Sequence, residues 1–387
     1  PTHRLPHSCA SNNLWGAETQ LVGVSIRGID FGCACEVIGV GGGGSNAVSR
    51  MFRERVPSVE YMVVNTDAQA LVRCDVPLKI RVGDQLTGGK GVGGNPDLGM
   101  RSAEESREEL YEAIRDADMV FVAAGMGGGT GTGSAPVIGQ IAKESGALTV
   151  GVVTRPFAFE GVRRSRQAEE GISRLRENVD TLLVIPNERM QVVADEEITA
   201  ENAFRMADDV LRLGVQSIAE LVTVAGEINL DFADVEAVMR DAGPAWMSIG
   251  WGMGDQRARE AAQQAITNPL LDVSIENATG VLFNIVGGGD LKLSELHQAA
   301  EVIQRVVDPD ANIIFGMTKD LKMENEIKLT IVATGFPTGD TFTDREEQVD
   351  RLLQDALNND DSDLDLPPFL RRFSSRARSR PKNGLPD

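Results

Sequence analysis

The chain has 387 residues, of which 42% are hydrophobic and 25% charged, and its formal net charge is −20. At roughly 100–200 residues per domain, this length and apolar content predict two folded domains with tails. The negative charge argues against binding nucleic acid or an anionic membrane non-specifically, because both need a surface rich in lysine and arginine.

Cysteine, histidine and apolar residues narrow the class of protein further. The four cysteines, Cys9, Cys33, Cys35 and Cys74, follow neither a C-x-x-C nor a histidine-paired spacing, so we expect reduced thiols in a cytosol-like compartment. The three histidines are too scattered to build a metal site, and we predict none. No apolar run approaches the roughly 20 residues that a membrane-spanning helix needs.

The N-terminal half predicts a doubly wound, mostly parallel α/β sheet. Residues 1–34 are rich in Gly, Ser and Asn, and we expect a flexible arm. Residues 35–200 alternate short β-branched runs with amphipathic stretches, which favours a parallel sheet with helices on both faces and a nucleotide-binding role. The predicted strands are 36–40, 61–65, 118–123, 148–153 and 181–185.

The predicted elements of the C-terminal half follow a different order. A long amphipathic stretch predicts a central helix over residues 201–225. Strands predicted at 279–286, 311–317 and 326–334, with a helix between the first two, indicate a smaller α+β domain over residues 226–336. Residues 337–363 are acidic and polar, and we expect a disordered linker there.

A first glycine cluster follows the first predicted strand. Gly41, Gly42, Gly43 and Gly44 precede Asn46 and a helix predicted at 47–55, which is where phosphates bind in α/β folds. Gly39, Gly41 and Gly44 also fit the pattern G-x-G-x-x-G, and Asp67 lies near the end of the next strand. A dinucleotide-binding Rossmann domain, as in an oxidoreductase, is therefore a rival interpretation.

A second cluster, with more glycines, weakens the Rossmann interpretation. Residues 125–134, GMGGGTGTGS, carry six glycines and no lysine. Such a loop can turn several N–H groups toward one anion, and the helix predicted at 134–144 points its positive N-terminus at the same place. Because no part of the chain has the P-loop lysine motif, a bound Mg²⁺ is the simplest source of positive charge.

A third glycine stretch, residues 87–95, ends in Gly93, Gly94 and Asn95. A dinucleotide has a single pyrophosphate to bind and no evident need for three glycine loops. Three glycine loops that each follow a regularly spaced secondary-structure element favour a binding site for a triphosphate.

The loop 127–133, GGGTGTG, closely resembles the signature loop of the FtsZ family of tubulin-like GTPases. The resemblance extends over roughly residues 35–336, with further matching segments at 65–68, 154–161, 185–187, 207–209 and 229–234. It implies GTP and GDP as ligands, with Mg²⁺ bound through the phosphates. It also implies head-to-tail self-assembly into the cytokinetic ring of a bacterial cytoplasm, or of a plastid stroma as the alternative.

The resemblance implies specific nucleotide-binding residues. Asp208 is suited to accept hydrogen bonds from guanine, Phe204 to stack on the base, and Glu160 to accept from the ribose hydroxyls. Taken alone, Asp208 and Arg164 would be ordinary solvated helix charges. The full set is Gly41, Gly42, Gly43, Gly44, Asn46, Asp67, Ala68, Gly93, Gly94, Asn95, Gly127, Gly128, Gly129, Thr130, Gly131, Thr132, Gly133, Glu160, Arg164, Asn187, Phe204 and Asp208.

The candidate catalytic segment is 229–234, NLDFAD. Asp231 and Asp234 stand at the start of a helix predicted at 232–241, where they can also serve simply as helix caps. The segment follows the long helix, so it should lie far from the chain's own glycine loops. The resemblance implies that Asn229, Asp231 and Asp234 enter the pocket of a neighbouring subunit and act on its GTP, so that hydrolysis requires assembly. A filament that binds GTP without useful hydrolysis is the alternative.

The C-terminal segment 364–387 carries a separate signal. Residues 365–372, DLPPFLRR, form a short amphipathic stretch beyond the acidic linker, which is typical of a peptide that orders on a partner. It resembles the family peptide that binds membrane-tethering and regulatory division proteins. The basic residues that follow could touch anionic lipid, but the apolar cluster is too small to anchor the chain alone.

Overall fold

The computed structural model describes residues 33–54, 59–189, 199–223, 228, 231–267, 275, 277–320 and 323–336. Most of the predicted arm, the acidic linker, the C-terminal peptide and Asn229 lie outside the described residues.

Within the described residues, ten strands form one sheet in the order β3-β2-β1-β4-β5-β6-β7-β10-β8-β9. The strands from β3 to β7 are parallel to their neighbours, whereas β10 runs antiparallel to β7 and β8. The expected mostly parallel α/β fold is therefore confirmed. The strands are β1 (Cys35–Val40), β2 (Val59–Asn65), β3 (Leu78–Arg81), β4 (Met119–Gly125), β5 (Leu148–Arg155), β6 (Thr181–Pro186), β7 (Gly243–Met253), β8 (Gly280–Gly287), β9 (Asn312–Lys319) and β10 (Glu326–Thr334).

Helices cover both faces of this sheet. One core contains residues of α1 and α8, a second contains residues of α5, α6 and α7, and a third joins α10 and α11 to the last strands. No described helix combines the length and apolar character needed to span a membrane. The helices are α1 (Gly41–Glu54), α2 (Ala68–Arg73), α3 (Asp84–Thr87), α4 (Pro96–Glu105), α5 (Arg107–Ile114), α6 (Thr130–Glu144), α7 (Val162–Arg176), α8 (Ala200–Thr223), α9 (Phe232–Met239), α10 (Arg257–Ile266) and α11 (Leu293–Gln304).

The helices after β1 and β4 begin earlier than predicted. The helix expected to start at residue 47 starts at Gly41, and the one expected at residue 134 starts at Thr130. A Cβ atom on Gly44 would overlap the carbonyl oxygen of Ala123, and one on Gly133 would lie 2.6 Å from the backbone nitrogen of Met100. Glycine costs about 1 kcal/mol relative to alanine inside a helix, and this close packing offsets the cost.

Strand β7 was not predicted. Its sequence, GPAWMSIGWGM, contains a proline and three glycines, which weaken a strand pattern. The strand nevertheless pairs with β6 on one side and β10 on the other. Gly250 and Gly252 allow α10 to approach the strand so closely that a Cβ on either residue would overlap the helix backbone. The sheet thus continues without a break from the N-terminal to the C-terminal half of the chain.

Candidate functional site

The strand order reverses between β1 and β4, and the crevice at such a point is where ligands bind in open α/β sheets. The carboxyl ends of the strands are level there, because Val40 pairs with Ala124, and Gly125 pairs with Thr154. A cleft of about 350 Å³ opens at this edge. That volume lies within the range of small-molecule sites.

Glycine loops and two helix N-termini form one end of the cleft. Gly42 and Gly43 open α1, Gly128 to Gly131 open α6, and Gly93 and Gly94 come from the third glycine stretch. Neither helix has an acidic residue in its first turn, and Gly129 provides no side-chain cap for α6. The first backbone N–H groups of both helices are therefore available to an anion.

The second glycine loop is held in shape from within. Gly127 takes the left-handed conformation, with φ +94°, and its N–H donates to the buried Oγ1 of Thr132 over 2.9 Å. Thr130 is linked to Thr66, at the end of β2, by a buried hydroxyl contact of 2.9 Å. These contacts fix the loop before any ligand arrives, which lowers the cost of binding.

Several predicted residues frame the cleft instead of lining it. Gly41, Gly44, Gly127, Thr132 and Gly133 are buried under the loops. A Cβ on Gly41 would lie 2.7 Å from the nitrogen of Gly131, so this glycine lets the N-termini of α1 and α6 meet.

The four remaining predicted residues, Asn46, Asp67, Ala68 and Asn95, have other roles in the structure. Asp67 caps α2 by accepting from Gln69 N at 2.8 Å, and Asn95 caps α4 by accepting from Asp97 N at 3.0 Å. The N–H of Ala68 donates to Gly89 O, and Asn46 is exposed on α1. None of these four lines the cleft among the described residues.

Helix α8 forms the opposite end of the cleft. Phe204, Ala207, Asp208 and Leu211 line it, and their spacing places them on one helical face. The Phe204 ring is 44% exposed and packs edge-on against Phe157, with ring centroids 5.5 Å apart. An open aromatic face next to a carboxylate suits a base that carries N–H donors.

Burial and a neighbouring cation have opposite effects on the pKa of the Asp208 carboxyl group. Burial raises its pKa to about 6, and the nearby Arg50 guanidinium opposes that rise. Nη2 of Arg50 lies 3.3 Å from Oδ2 of Asp208. The ionised form is thus held at neutral pH, and it can accept hydrogen bonds.

Three polar side chains form the wall between the two ends. Glu160 accepts from the N–H of Phe157 at 2.9 Å and pairs with the Arg164 guanidinium. Asn187 is 5% exposed, and its Oδ1 has no hydrogen-bond partner within the part of the chain that the structure describes. Buried polar atoms are rarely left unpaired, so this oxygen points to a ligand that supplies a donor.

Some cleft-lining residues were missed. Gly125, Met126, Thr154, Pro156 and Val92 were absent from the predicted set, as were Ala207 and Leu211. Thr154 and Pro156 belong to the matching segment 154–161. The helical spacing from Phe204 and Asp208 would also have identified Ala207 and Leu211.

Asp231 and Asp234 lie outside the cleft. Asp231 is the N-cap of α9, where its Oδ1 accepts from the N–H of Asp234 at 2.9 Å, and both side chains are exposed. Helix α8 continues for a further 12 residues beyond Leu211, to Thr223, which spans roughly 18 Å at 1.5 Å per residue. The two aspartates follow the far end of this helix, so they do not face the glycine loops.

Two family models match the chain. Residues 34–195 match the GTPase domain of the Tubulin/FtsZ family, and residues 243–337 match the C-terminal domain of the FtsZ family. An empty FtsZ dimer from M. jannaschii is 45% identical, with a TM-score of 0.76, over 81% of this chain and 91% of that chain. A mutant of FtsZ from M. jannaschii is also 45% identical, with a TM-score of 0.77, over 81% and 94% of the two chains.

More distant structures share the fold. CetZ2 from Haloferax volcanii, a GTPγS-bound protofilament, is 19% identical, with a TM-score of 0.69, over 83% of this chain and 99% of that chain.

Proposed function

Because this chain belongs to the FtsZ family of tubulin-like GTPases, we propose that it assembles head to tail into filaments of a cytoplasmic division ring and hydrolyses GTP where two subunits meet. The observation that carries the proposal is the cleft itself. Glycine loops and two helix N-termini lie at one end, and a buried carboxylate lies at the other, on α8.

The glycine end is suited to the phosphates. The N–H groups of α1 and α6 can donate to phosphate oxygens, and the helix dipoles favour the negative charge. Arg164 is the cationic side chain among the described cleft residues, and Glu160 already pairs with it. Mg²⁺ coordinated by phosphate oxygens would supply the missing positive charge, as it commonly does for nucleotides.

The α8 end is suited to guanine. Ionised Asp208 would accept from the N1–H and the exocyclic amine, which adenine does not present together on one edge. Phe204 would cover the ring, and the unpaired Oδ1 of Asn187 would accept from the base or the sugar. Glu160 would accept from the ribose hydroxyls.

Hydrolysis would depend on the next subunit. Asp231 and Asp234 are exposed beyond the far end of α8, where a second copy of the chain can approach them. Their carboxylates would orient and polarise the attacking water at the partner's γ-phosphate, together with Asn229. Such a contact joins two different surfaces and propagates into an open filament. The M. jannaschii dimer and the Haloferax protofilament are relatives seen in multimeric form.

The deciding experiment measures GTP turnover and light scattering against protein concentration. We expect both signals to rise together above one threshold concentration, because each complete site needs two subunits. Scattering without turnover would indicate a filament that binds GTP without useful hydrolysis. Turnover proportional to concentration, with no threshold, would contradict catalysis at an interface.

We also propose that residues 365–372 bind a membrane-tethering adaptor or another division protein. The support is the amphipathic sequence DLPPFLRR at the end of an acidic segment. A chain ending at residue 363 should keep its GTP turnover and lose adaptor binding, and retained binding would contradict the assignment.

A further inference from the structure

Two thiols are in contact at the amino end of β1. The Sγ atoms of Cys33 and Cys35 are 3.3 Å apart. Residues two apart on an extended segment face the same side, so the C-x-C spacing itself produces this contact. The glycine cleft begins after Val40, at the other end of the strand, roughly 17 Å away at 3.3 Å per residue.

The backbone between the two cysteines is fixed to the start of β4. The N–H of Ala34 donates to Oδ2 of Asp118 at 2.9 Å, and the Ala34 carbonyl accepts from the N–H groups of Asp118 and Met119 at 3.0 and 3.2 Å. Both backbone polar groups of Ala34 are therefore bonded to the start of β4. The thiols of Cys33 and Cys35 lie on the same side of the chain.

The two sulfurs differ in access to solvent. Cys35 is 2% exposed and belongs to the core that α1 covers, whereas Cys33 is half-buried at the edge of that core. Cys74 is also buried, but its thiol lies 3.4 Å from the carbonyl of Ala70 and belongs to a separate environment. The pair thus combines one thiol that a small molecule can reach with a shielded thiol in contact with it.

We propose that Cys33 and Cys35 form a reversible dithiol–disulfide site whose substrates are low-molecular-mass disulfides. The site is independent of the GTPase function and lies away from the nucleotide cleft.

The exchange proceeds in two displacements. The deprotonated sulfur of Cys33 attacks one sulfur of the small disulfide, and the other sulfur leaves as a thiolate that takes up the released proton. The deprotonated sulfur of Cys35 then attacks Sγ of Cys33, and the second small thiolate leaves and takes up the second proton. The protein gains one S–S bond and loses two protons and two electrons, which the small disulfide takes up as it becomes two thiols.

The geometry makes the protein disulfide easy to reduce again. Two extended residues span about 6.6–7.2 Å, which is longer than the most common Cα separation in a disulfide, about 5.5–6 Å, and close to its upper limit of about 6.8 Å. Closing the bond requires the backbone at Ala34 to contract and to weaken its contacts with β4. Strained disulfides have more oxidising potentials, so this one exchanges and does not act as a permanent cross-link.

The rate should depend on pH. The pKa of Cys33 is raised, first by its hydrogen bond with the Cys35 thiol and then by burial, with the charges of Cys35 and Asp118 adding to the rise. Because the thiolate is the reactive form, exchange is slow at neutral pH and becomes faster as the pH rises.

The test uses the full chain, equilibrated at pH 8 with reduced and oxidised glutathione in graded ratios. After acid quenching and alkylation of the free thiols, trypsin releases residues 28–50 as a peptide that holds both cysteines. We expect this peptide to lose two hydrogens in one two-electron transition, with about 30 mV for each tenfold change in the equilibrium. The variant Cys74→Ser should show the same transition.

The variant Cys33→Ser should abolish the transition and leave Cys35 without glutathione, while circular dichroism shows an unchanged fold. Three results would overturn the proposal: a stable glutathione adduct on the wild-type peptide, no oxidation in the most oxidising buffer, or a cross-link from this peptide to Cys9 or Cys74.

Discussion

Arg50 on α1 holds Asp208 on α8, with 3.3 Å between Nη2 of the arginine and Oδ2 of the aspartate. The same guanidinium lies 3.7 Å from Oδ1 of Asp209 and donates to the carbonyl of Arg205 at 3.2 Å. Helix α1 begins at the glycine end of the cleft and α8 forms the opposite end. The ion pair therefore fixes the spacing between the two ends of the proposed nucleotide site.

Replacing this arginine should make GTP binding more sensitive to acid. Burial already raises the pKa of Asp208 to about 6, and Arg50 opposes the rise. In Arg50→Met the pKa of Asp208 goes higher, so the carboxyl is protonated, and loses its acceptor capacity for guanine, at a higher pH. We expect affinity at pH 6.5 to fall by about 3–10-fold, with less loss at pH 8. Titration with a fluorescent GTP analogue across this range measures it.

Arg53→Met is the matched control. Arg53 lies on the same helix but pairs with Asp75, at 2.6 Å, and not with α8. Its pH profile for GTP binding should match that of the wild type. Identical profiles for Arg50→Met and Arg53→Met would contradict the role assigned to Arg50.

The glycines divide into those that face the ligand and those that hold the frame. A methyl group at Gly128 meets no atom within 4 Å, but it enters the cleft. We expect Gly128→Ala to keep the thermal stability of the wild type and to lose about tenfold or more in GTP affinity. Calorimetric binding and thermal melting without nucleotide separate the two effects.

Gly133→Ala should do the reverse. Its methyl group would overlap the Pro96 carbonyl and crowd the Met100 nitrogen, so α4 and α6 must separate. Such overpacking costs about 1–3 kcal/mol in the free energy of unfolding. If Gly128→Ala melts as early as Gly133→Ala, or binds GTP like the wild type, the division between ligand-facing and framing glycines is wrong.

Local sequence was enough for most of the cleft and for the central strands. The β-branched runs that became β1, β4 and β5 are buried on both faces of the sheet, and such strands read as continuous apolar runs. The first two glycine loops follow the carboxyl ends of β1 and β4, so sequence order alone brings these two loops to one edge of the sheet.

Tertiary contacts determined what the sequence did not show. Strand β7 is stabilised by β6, β10 and the close approach of α10 at Gly250, and none of these contacts appears in its own residues. The pairing of Arg50 with Asp208 joins residues 158 positions apart, and no local pattern reports it. The contact between the Cys33 and Cys35 thiols was not predicted, because the sequence analysis considered only C-x-x-C and histidine-paired spacings.

A buried arginine joins α10 to the start of α11. Arg257 is 3% exposed and donates to Glu295 at 2.7 and 3.1 Å and to Asp290 at 2.7 Å. Removing its charge leaves the shielded Glu295 carboxylate without its cation, with the backbone N–H of Lys292 still donating to it at 2.8 Å. We expect Arg257→Met to lower the free energy of unfolding by about 3 kcal/mol at pH 7, as measured by urea titration.

The same pair predicts a pH dependence. Arg257 lowers the pKa of Glu295 and of Asp290, chiefly through its hydrogen bonds to them. A lowered folded-state pKa stabilises the protein above the unfolded-state pKa, and that contribution is lost as the pH falls through the folded-state value. The penalty of Arg257→Met should therefore shrink toward pH 3. Arg305→Ala, which removes an exposed i,i+4 pair with Glu301, should cost less than about 0.5 kcal/mol at either pH.

Asp231 has a structural and a proposed catalytic role, and the two can be separated. Its carboxylate caps α9, so Asp231→Ala would lose the cap as well as the charge, at about 0.5–2 kcal/mol. Asn is an equally good N-cap, so Asp231→Asn keeps the helix while removing the negative charge. We expect this variant to bind GTP, to keep its melting temperature, and to lose at least about 100-fold in turnover.

Mixing two inactive variants then tests whether the site is shared. Asp231→Asn has an intact cleft, whereas Asp208→Ala has a damaged cleft and an intact Asp231. If one subunit acts on the GTP of the next, a mixed filament contains junctions that combine the intact cleft of one variant with the intact aspartate of the other. Turnover should then recover on mixing, although neither variant hydrolyses GTP appreciably alone. Co-sedimentation of the two variants without any recovery would show that Asp231 does not act across the junction.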